Sequence, residues 1–164
     1  MVQWIQYQNA LKKNASSQLL APSQRKCYER ILYHTRYANR INLFGESGVG
    51  KTFLAWVLCK EIKAQYLPSP YENFYNTQLL IIDDAPHDRE TCRQLYDKAL
   101  NFSRSVILIT REPIDDHITR VHLSLSNEDF ITVNRVIYEV CDIAVPVIDA
   151  KRGMLWNYFQ LARR

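Results

Sequence analysis

Ile41-Asn42-Leu43-Phe44-Gly45-Glu46-Ser47-Gly48-Val49-Gly50-Lys51-Thr52-Phe53-Leu54-Ala55 is the stretch on which the rest of the chain depends. It holds a complete G-x-x-x-x-G-K-[ST] pattern, with Gly45, Gly50, Lys51 and Thr52 at the fixed positions and Glu46, Ser47, Gly48 and Val49 between them. A phosphate group needs many donors converging on a small volume. Glycines let a loop turn its backbone N–H groups inward with no Cβ intervening. Lys51 can reach terminal phosphates as a point charge, and Thr52 can place its hydroxyl on Mg²⁺. The first turn of a following helix adds its own unpaired N–H groups.

The flanks fit this reading. Ile41-Asn42-Leu43-Phe44 is a short apolar run suited to a buried strand. From Thr52 to Lys63 the apolar residues Phe53, Leu54, Val57, Leu58 and Ile62 recur near helical spacing. Strand, loop and helix come in the order the chemistry requires. Three of the four glycines of the chain lie in this one loop.

A second signal is Gln78-Leu79-Leu80-Ile81-Ile82-Asp83-Asp84, four bulky apolar residues running into two carboxylates. Such a run predicts a parallel strand buried on both faces. Carboxylates just past its C-terminal end sit beside the phosphate loop, because α/β sheets bind ligands at that edge. Asp83 is then placed for Mg²⁺ and Asp84 for an attacking water. Val106-Ile107-Leu108-Ile109 predicts a third buried strand, and Thr110 at its end emerges at the same edge. Its hydroxyl there can hold the water or touch the γ-phosphate.

At 164 residues the chain can bury roughly 70% of its unfolded surface, enough for one core. Apolar content of 47% and charged content of 23% are those of a globular protein. With no 18-residue apolar run and no basic, apolar leader at Met1–Gln6, a cytoplasmic location is expected. Cys27, Cys59, Cys92 and Cys141 lack the close spacing of zinc ligands, and the four histidines are equally scattered, so no metal besides nucleotide-bound Mg²⁺ is expected. The net charge of +4 is compatible with a nucleic-acid or an acidic partner.

Along the chain, residues 3 to 15 predict a helix that Ala21-Pro22 interrupts. Ser23 is then expected to cap a helix over Gln24–Tyr37, with Cys27, Ile31, Leu32 and Thr35 inward and Arg25, Lys26, Arg30 and Arg36 outward. Ala64–Leu67 reads as a second strand and Tyr71–Asn76 as a loose turn. Asp88–Ser103 reads as a helix and Val121–Leu125 as an edge strand. Asn127 is expected to cap a helix from Glu128 to about Tyr138. Cys141–Ile148 is apolar, and Gly153–Ala162 reads as a last helix. The fold class expected is α/β: a three-layer αβα sandwich around a parallel sheet with a short helical appendage at the C-terminus. Residues 1–126 form the phosphate-loop domain with its helical lead-in, and 127–164 the appendage.

Gly45–Thr52, the Leu79–Asp84 strand and a strand ending in Thr110 together resemble the P-loop NTPases with an additional strand between the two motifs, the AAA+ ATPases. The resemblance implies ATP and Mg²⁺ as cofactors, and a strand ending in the polar "sensor 1" residue, here Thr110, between the loop strand and the Asp strand. The doubled Asp83-Asp84 is similar to the replication-initiator and helicase-loader branch, including ATPases that assist transposases. Ile118-Thr119-Arg120-Val121 with Leu123-Ser124-Leu125-Ser126-Asn127-Glu128 resembles the box in which clamp-loader ATPases place an arginine finger, which implies that role for Arg120. The family's lid is larger than residues 127–164 allow, and its sensor 2 arginine has candidates only in Arg152 and Arg135. Superfamily 3 viral helicases share the short motif spacing and the Asp-Asp strand end, but Thr110 stands where they have asparagine.

The function this implies is a slow ATPase that assembles with itself or other subunits and acts on a nucleic-acid machine, with Asp84 polarising water, Thr110 beside it and Arg120 supplied by a neighbour. The alternatives are a nucleotide-gated adaptor with negligible hydrolysis, a fragment like the superfamily 3 helicases, and a small-molecule kinase. For a kinase the arginines are few.

Overall fold

The computed structural model describes residues 2–115 and 117–142. In chain order its elements are α1 (Val2–Asn14), α2 (Pro22–His34), β1 (Arg40–Phe44), α3 (Lys51–Ile62), β2 (Gln65–Leu67), β3 (Thr77–Ile82), α4 (Arg89–Ala99), β4 (Ser103–Thr110), β5 (Thr119–His122) and α5 (Asn127–Cys141), with a 3-10 turn at Ser17–Leu19 between the first two helices. The strands form one sheet in the order β2-β3-β4-β1-β5, and every pairing is parallel. The strand ending in Thr110 therefore lies between the loop strand and the Asp strand, as the AAA+ resemblance implies.

Parallel strands need crossovers, and helices in those crossovers cover both faces of the sheet. The apolar runs divide accordingly. Ile41, Leu43, Leu79, Ile81, Ile107 and Ile109 pack with residues of α2 and α3 such as Ile31, Leu54 and Leu58, while Leu80, Ile82, Val106 and Leu108 pack with Cys92, Leu95, Tyr96 and Ala99 of α4. The result is the expected αβα sandwich. Tyr96, fully buried, also ties α4 to β1 by donating its hydroxyl to the Ile41 carbonyl at 2.6 Å.

No helix joins β2 to β3. The Gln65 side chain donates to the Asn73 carbonyl and accepts from the Tyr75 N–H, strapping the connection along edge strand β2. Phe74 packs onto the α4-side core and meets Phe102 edge-on at 5.8 Å.

Several boundaries differ from expectation for local chemical reasons. Ala21, not Ser23, is the N-cap of α2. Pro22 at the first turn gives up an N–H that had no partner there, and the Gln24 amide oxygen receives the Ala21 N–H. Helix α4 ends at Ala99 with its N-cap at Asp88, and β4 begins at Ser103. Ser103 and Ser105 suit a strand because their hydroxyls donate to the Ser105 and Ala38 carbonyls. Helix α5 is capped by Ser126, one residue earlier than expected. Strand β5 stops at His122 instead of running to Leu125.

Helix α5 buries Phe130, Val133 and Ile137 against Ala21 of the α2 N-terminus, with Tyr7 of α1 alongside. Its Asp129 carboxylate, buried, accepts from the Ser23 N–H at 2.7 Å, the Ser126 N–H at 2.5 Å and the Ser126 hydroxyl at 2.8 Å. One side chain thus joins the starts of α2 and α5. The segment from Ile143 to Ile148, the helix expected at Gly153–Ala162 and Arg152 lie outside the described residues. All four cysteines are free thiols, with Cys27 and Cys92 buried. No described helix is long and apolar enough to cross a membrane.

Candidate nucleotide site

Three adjacent strands end at one edge of the sheet. β1 delivers Gly45, β3 delivers Asp83 and β4 ends in Thr110. Gly45 starts the loop at φ 153, with its N–H donating to the Arg111 carbonyl at 3.2 Å, and a Cβ added there would collide with the Leu123 carbonyl oxygen. Gly48 and Gly50 have φ of 87 and 88, conformations that side chains disfavour. Gly50 is also the N-cap of α3, so Lys51 and Thr52 stand in its first turn. From behind, the buried Gln24 amide reaches the Val49 and Gly50 carbonyls at 3.5 and 3.4 Å. Val49 is itself buried, while Glu46 and Ser47 face outward.

The Lys51 ammonium folds back over the loop and donates to the Gly45 carbonyl at 2.5 Å and the Glu46 carbonyl at 2.8 Å. Partial burial lowers its pKa, the Asp83 carboxylate pulls it back up, and Arg111 nearby lowers it again. These neutral carbonyls are weaker acceptors than an anion, so the ammonium can exchange them for phosphate oxygens.

The Asp83 carboxylate accepts three hydrogen bonds. Its Oδ2 accepts from the Thr52 hydroxyl at 2.7 Å and from the Tyr66 hydroxyl at 2.9 Å, and its Oδ1 accepts from the Asp84 N–H at 2.9 Å. Thr52 and Asp83, 31 residues apart in the chain, thus offer two hard oxygen donors at one point. That is the donor set Mg²⁺ takes from a protein, with water and phosphate supplying the rest. Burial first, and then the Asp83 charge, push the Tyr66 phenol far above its ordinary pKa, so it stays a donor. Asp84 is exposed and holds a left-handed backbone at φ 49.

A cavity of about 420 Å³ opens over these groups, lined by Ser47, Lys51, Thr52, Asp83, Asp84, Thr110 and Arg111, with Gln8 and Leu11 of α1 and Trp56 of α3 closing one side. The structure brings together the expected loop residues, both aspartates and Thr110. Thr110, however, is buried, and its hydroxyl accepts from the Asn42 amide at 2.8 Å and donates to the Glu112 carbonyl at 2.6 Å. Its proton is engaged by that carbonyl. Arg120 does not line the cavity; it is exposed on edge strand β5, in register with Asn42, and its carbonyl accepts from Arg30 at 3.3 Å. Arg135 lies on α5, 3.9 Å from Glu139.

Two solved structures share this fold. AMPPCP-bound DnaA from Aquifex aeolicus superposes with a TM-score of 0.61 at 14% identity, over 91% of this chain and 65% of that one. The crystal structure of a DNA replication initiation factor gives 0.66 at 14%, over 92% of this chain and 64% of that one. The fold is the one those two structures have. At that identity the likeness is one of architecture, and this chain spans just under two thirds of the length of either neighbour. No family model and no curated protein matches the sequence.

Sequence reasoning missed Tyr66, Gln24, Asn42 and the cover from α1. Asn42 carried a signal, being the one polar residue inside the apolar run of β1. It is fully buried and bonds Leu108, Thr110 and the Ile114 N–H.

Proposed function

We propose that the chain is an ATP-binding ATPase of the AAA+ kind, whose nucleotide state governs assembly with itself or other subunits and action on a nucleic-acid machine of the replication, helicase-loading or transposition type. The observation that carries this reading is the contact between the Thr52 hydroxyl and the Asp83 carboxylate beside a glycine loop that holds Lys51 in reserve. The DnaA structure of the same fold holds AMPPCP, which supports a nucleoside triphosphate as the ligand.

In this reading the loop N–H groups of residues 45–52 and the first turn of α3 cradle the phosphates, and Lys51 leaves its two carbonyls to bind their terminal oxygens. Thr52 and Asp83 hold Mg²⁺, which when bound neutralises charge developing on the transferred phosphoryl group. Tyr66 fixes the orientation of the Asp83 carboxylate. Asp84 orients water, Thr110 lies beside it, and Arg120, absent from its own cavity, serves that of a neighbouring subunit. Residues 127–164 act as a reduced lid, of which α5 is the first part. A cytoplasmic location belongs to the same reading.

The arrangement at Asp84 also favours a second reading. A short aspartate on a left-handed backbone reaches water less well than a glutamate would, and the Thr110 proton is engaged by the Glu112 carbonyl. A nucleotide-gated adaptor with negligible hydrolysis has these features. Phosphate release separates the two. The ATPase reading expects slow, Mg²⁺-dependent release that Asp84→Asn lowers while ATP binding persists. Release equal in both proteins removes the role of Asp84, and tight binding with no release leaves the adaptor.

A further inference from the structure

Helix α2 runs from Gln24, which touches the phosphate loop, back toward the start of β1 at the opposite edge of the sheet. Thirteen residues at 1.5 Å each put its far end roughly 20 Å from the loop. Its inner face buries Gln24, Cys27 and Ile31. Its outer face carries Lys26, Arg30, Tyr33 and Tyr37 in one row, since steps of three and four return to the same side. Tyr37 keeps the row although α2 formally ends at His34, because the Thr35 N–H bonds Ile31 and the Ala38 N–H bonds His34.

All four side chains are exposed, Tyr33 by 60% and Tyr37 by 77%. The two rings lie 5.5 Å apart at a tilt of 55°, and Tyr33 meets the His34 ring edge-on at 5.4 Å. Residues 25–40 contain five Lys and Arg against the single carboxylate of Glu29, an excess equal to the +4 of the whole chain. Arg25 donates to the Ser17 carbonyl at 2.8 Å and Arg40 pairs with Asp97, while Arg30 makes a longer bond, 3.3 Å, to the Arg120 carbonyl and stays exposed; Lys26, Arg30 and Arg36 are the cations beside the tyrosines.

We infer that this row is a docking surface for single-stranded nucleic acid, with unpaired bases stacking on Tyr33 and Tyr37 and the phosphate backbone following Lys26, Arg30 and Arg36. Cations alone would suit any polyanion. Exposed aromatic faces interleaved with them suit a strand whose bases are open, because a duplex hides its base faces and an acidic polypeptide has none. The inference goes beyond the nucleotide site, stands on a different edge of the sheet and does not depend on Lys51.

Anisotropy with a labelled oligothymidylate about 20 nucleotides long, titrated with the full chain across a salt series, tests it. The affinity should fall linearly in a log–log plot. Lys26→Gln and Arg30→Gln should each flatten the slope by about 0.7, the value for one phosphate contact on a single strand. Tyr33→Ala and Tyr37→Ala should each weaken binding about tenfold and leave the slope unchanged. Arg93→Gln, which removes an exposed cation on α4 across the sheet, should change neither. The inference is overturned by no binding at low salt, by equal affinity for a duplex or for polyglutamate, or by an Arg93→Gln loss as large as that of Arg30→Gln. Oligonucleotide binding with no ATP binding would sink the ATPase reading alone, and ATP binding with no oligonucleotide binding would sink this one alone.

Discussion

The Tyr66 hydroxyl donates to the same Asp83 oxygen that receives the Thr52 hydroxyl, at 2.9 and 2.7 Å. Were Thr52 to turn to a bound Mg²⁺, Tyr66 would still hold that carboxylate oxygen. Outer partners of this kind typically change metal affinity about 10- to 100-fold when removed. Tyr66→Phe keeps the ring and deletes only the hydroxyl. It should raise the Mg²⁺ concentration for half-maximal ATP binding about tenfold, at the low end of that range, and leave binding in chelator unchanged. Calorimetry at graded Mg²⁺ reads both quantities. An identical Mg²⁺ dependence in the two proteins would show that the hydroxyl does not position Asp83.

Gly45 has no room for a side chain. A Cβ there meets the Leu123 carbonyl, which is backbone just beyond β5 and cannot swing aside as a flexible side chain would. Gly45→Ala should lower stability by at least ~1 kcal/mol, read as an earlier denaturant midpoint at unchanged slope. An unchanged midpoint would mean that the loop shifts freely against β5.

Asp129 gives a pH-dependent signature. Burial alone would raise its pKa, but the hydrogen bonds from Ser126 and Ser23 outweigh burial and hold it below the ordinary 3.8. A group with a depressed native pKa contributes stability that is present above the unfolded value and lost as pH falls through the native one. Asp129→Asn should therefore cost about 1–3 kcal/mol near neutral pH, and the gap from the unmodified chain should close below about pH 3.8. A gap that stays constant into acid would assign the loss to packing.

What the sequence made legible follows the range of the interactions involved. The glycine loop could be read because its pattern is complete within Gly45–Thr52, and the place of Asp83 because a buried strand announces where it ends. Tyr66 could not be read. Its role depends on a three-residue strand pairing with β3, and nothing within Gln65–Leu67 fixes that register. Nor could the Ser23–Asp129 bond, which spans 106 residues. Thr110 was placed correctly at the edge, but the direction of its hydroxyl is set by Asn42 and Glu112 from two other segments. The start of β4 was missed because serines in a strand look polar until their hydroxyls find backbone carbonyls.

Arg120 is exposed on edge strand β5 and does not line its own cavity; the role proposed for it is at the nucleotide of a neighbouring subunit. Arg120→Ala should bind ATP normally and lose turnover by as much as ~10³-fold. Mixing it with Lys51→Ala should restore part of the activity, since an intact loop then meets an intact arginine. Unchanged turnover in Arg120→Ala, or mixtures that stay inactive, would remove the role in trans and turn attention to Arg111, which lines the cavity.

Every role proposed for the site depends on Gly45–Thr52 binding the phosphates of ATP with Lys51 as its mobile cation. Calorimetric titration of Mg·ATP into the unmodified chain and into Lys51→Ala tests it most directly. Deleting the ammonium leaves the loop N–H groups without the charge that reaches the β- and γ-phosphates, so clear saturation is expected for the unmodified chain and a loss of about 100-fold for the variant. Equal affinity in the two proteins, or no binding by the unmodified chain, would contradict it.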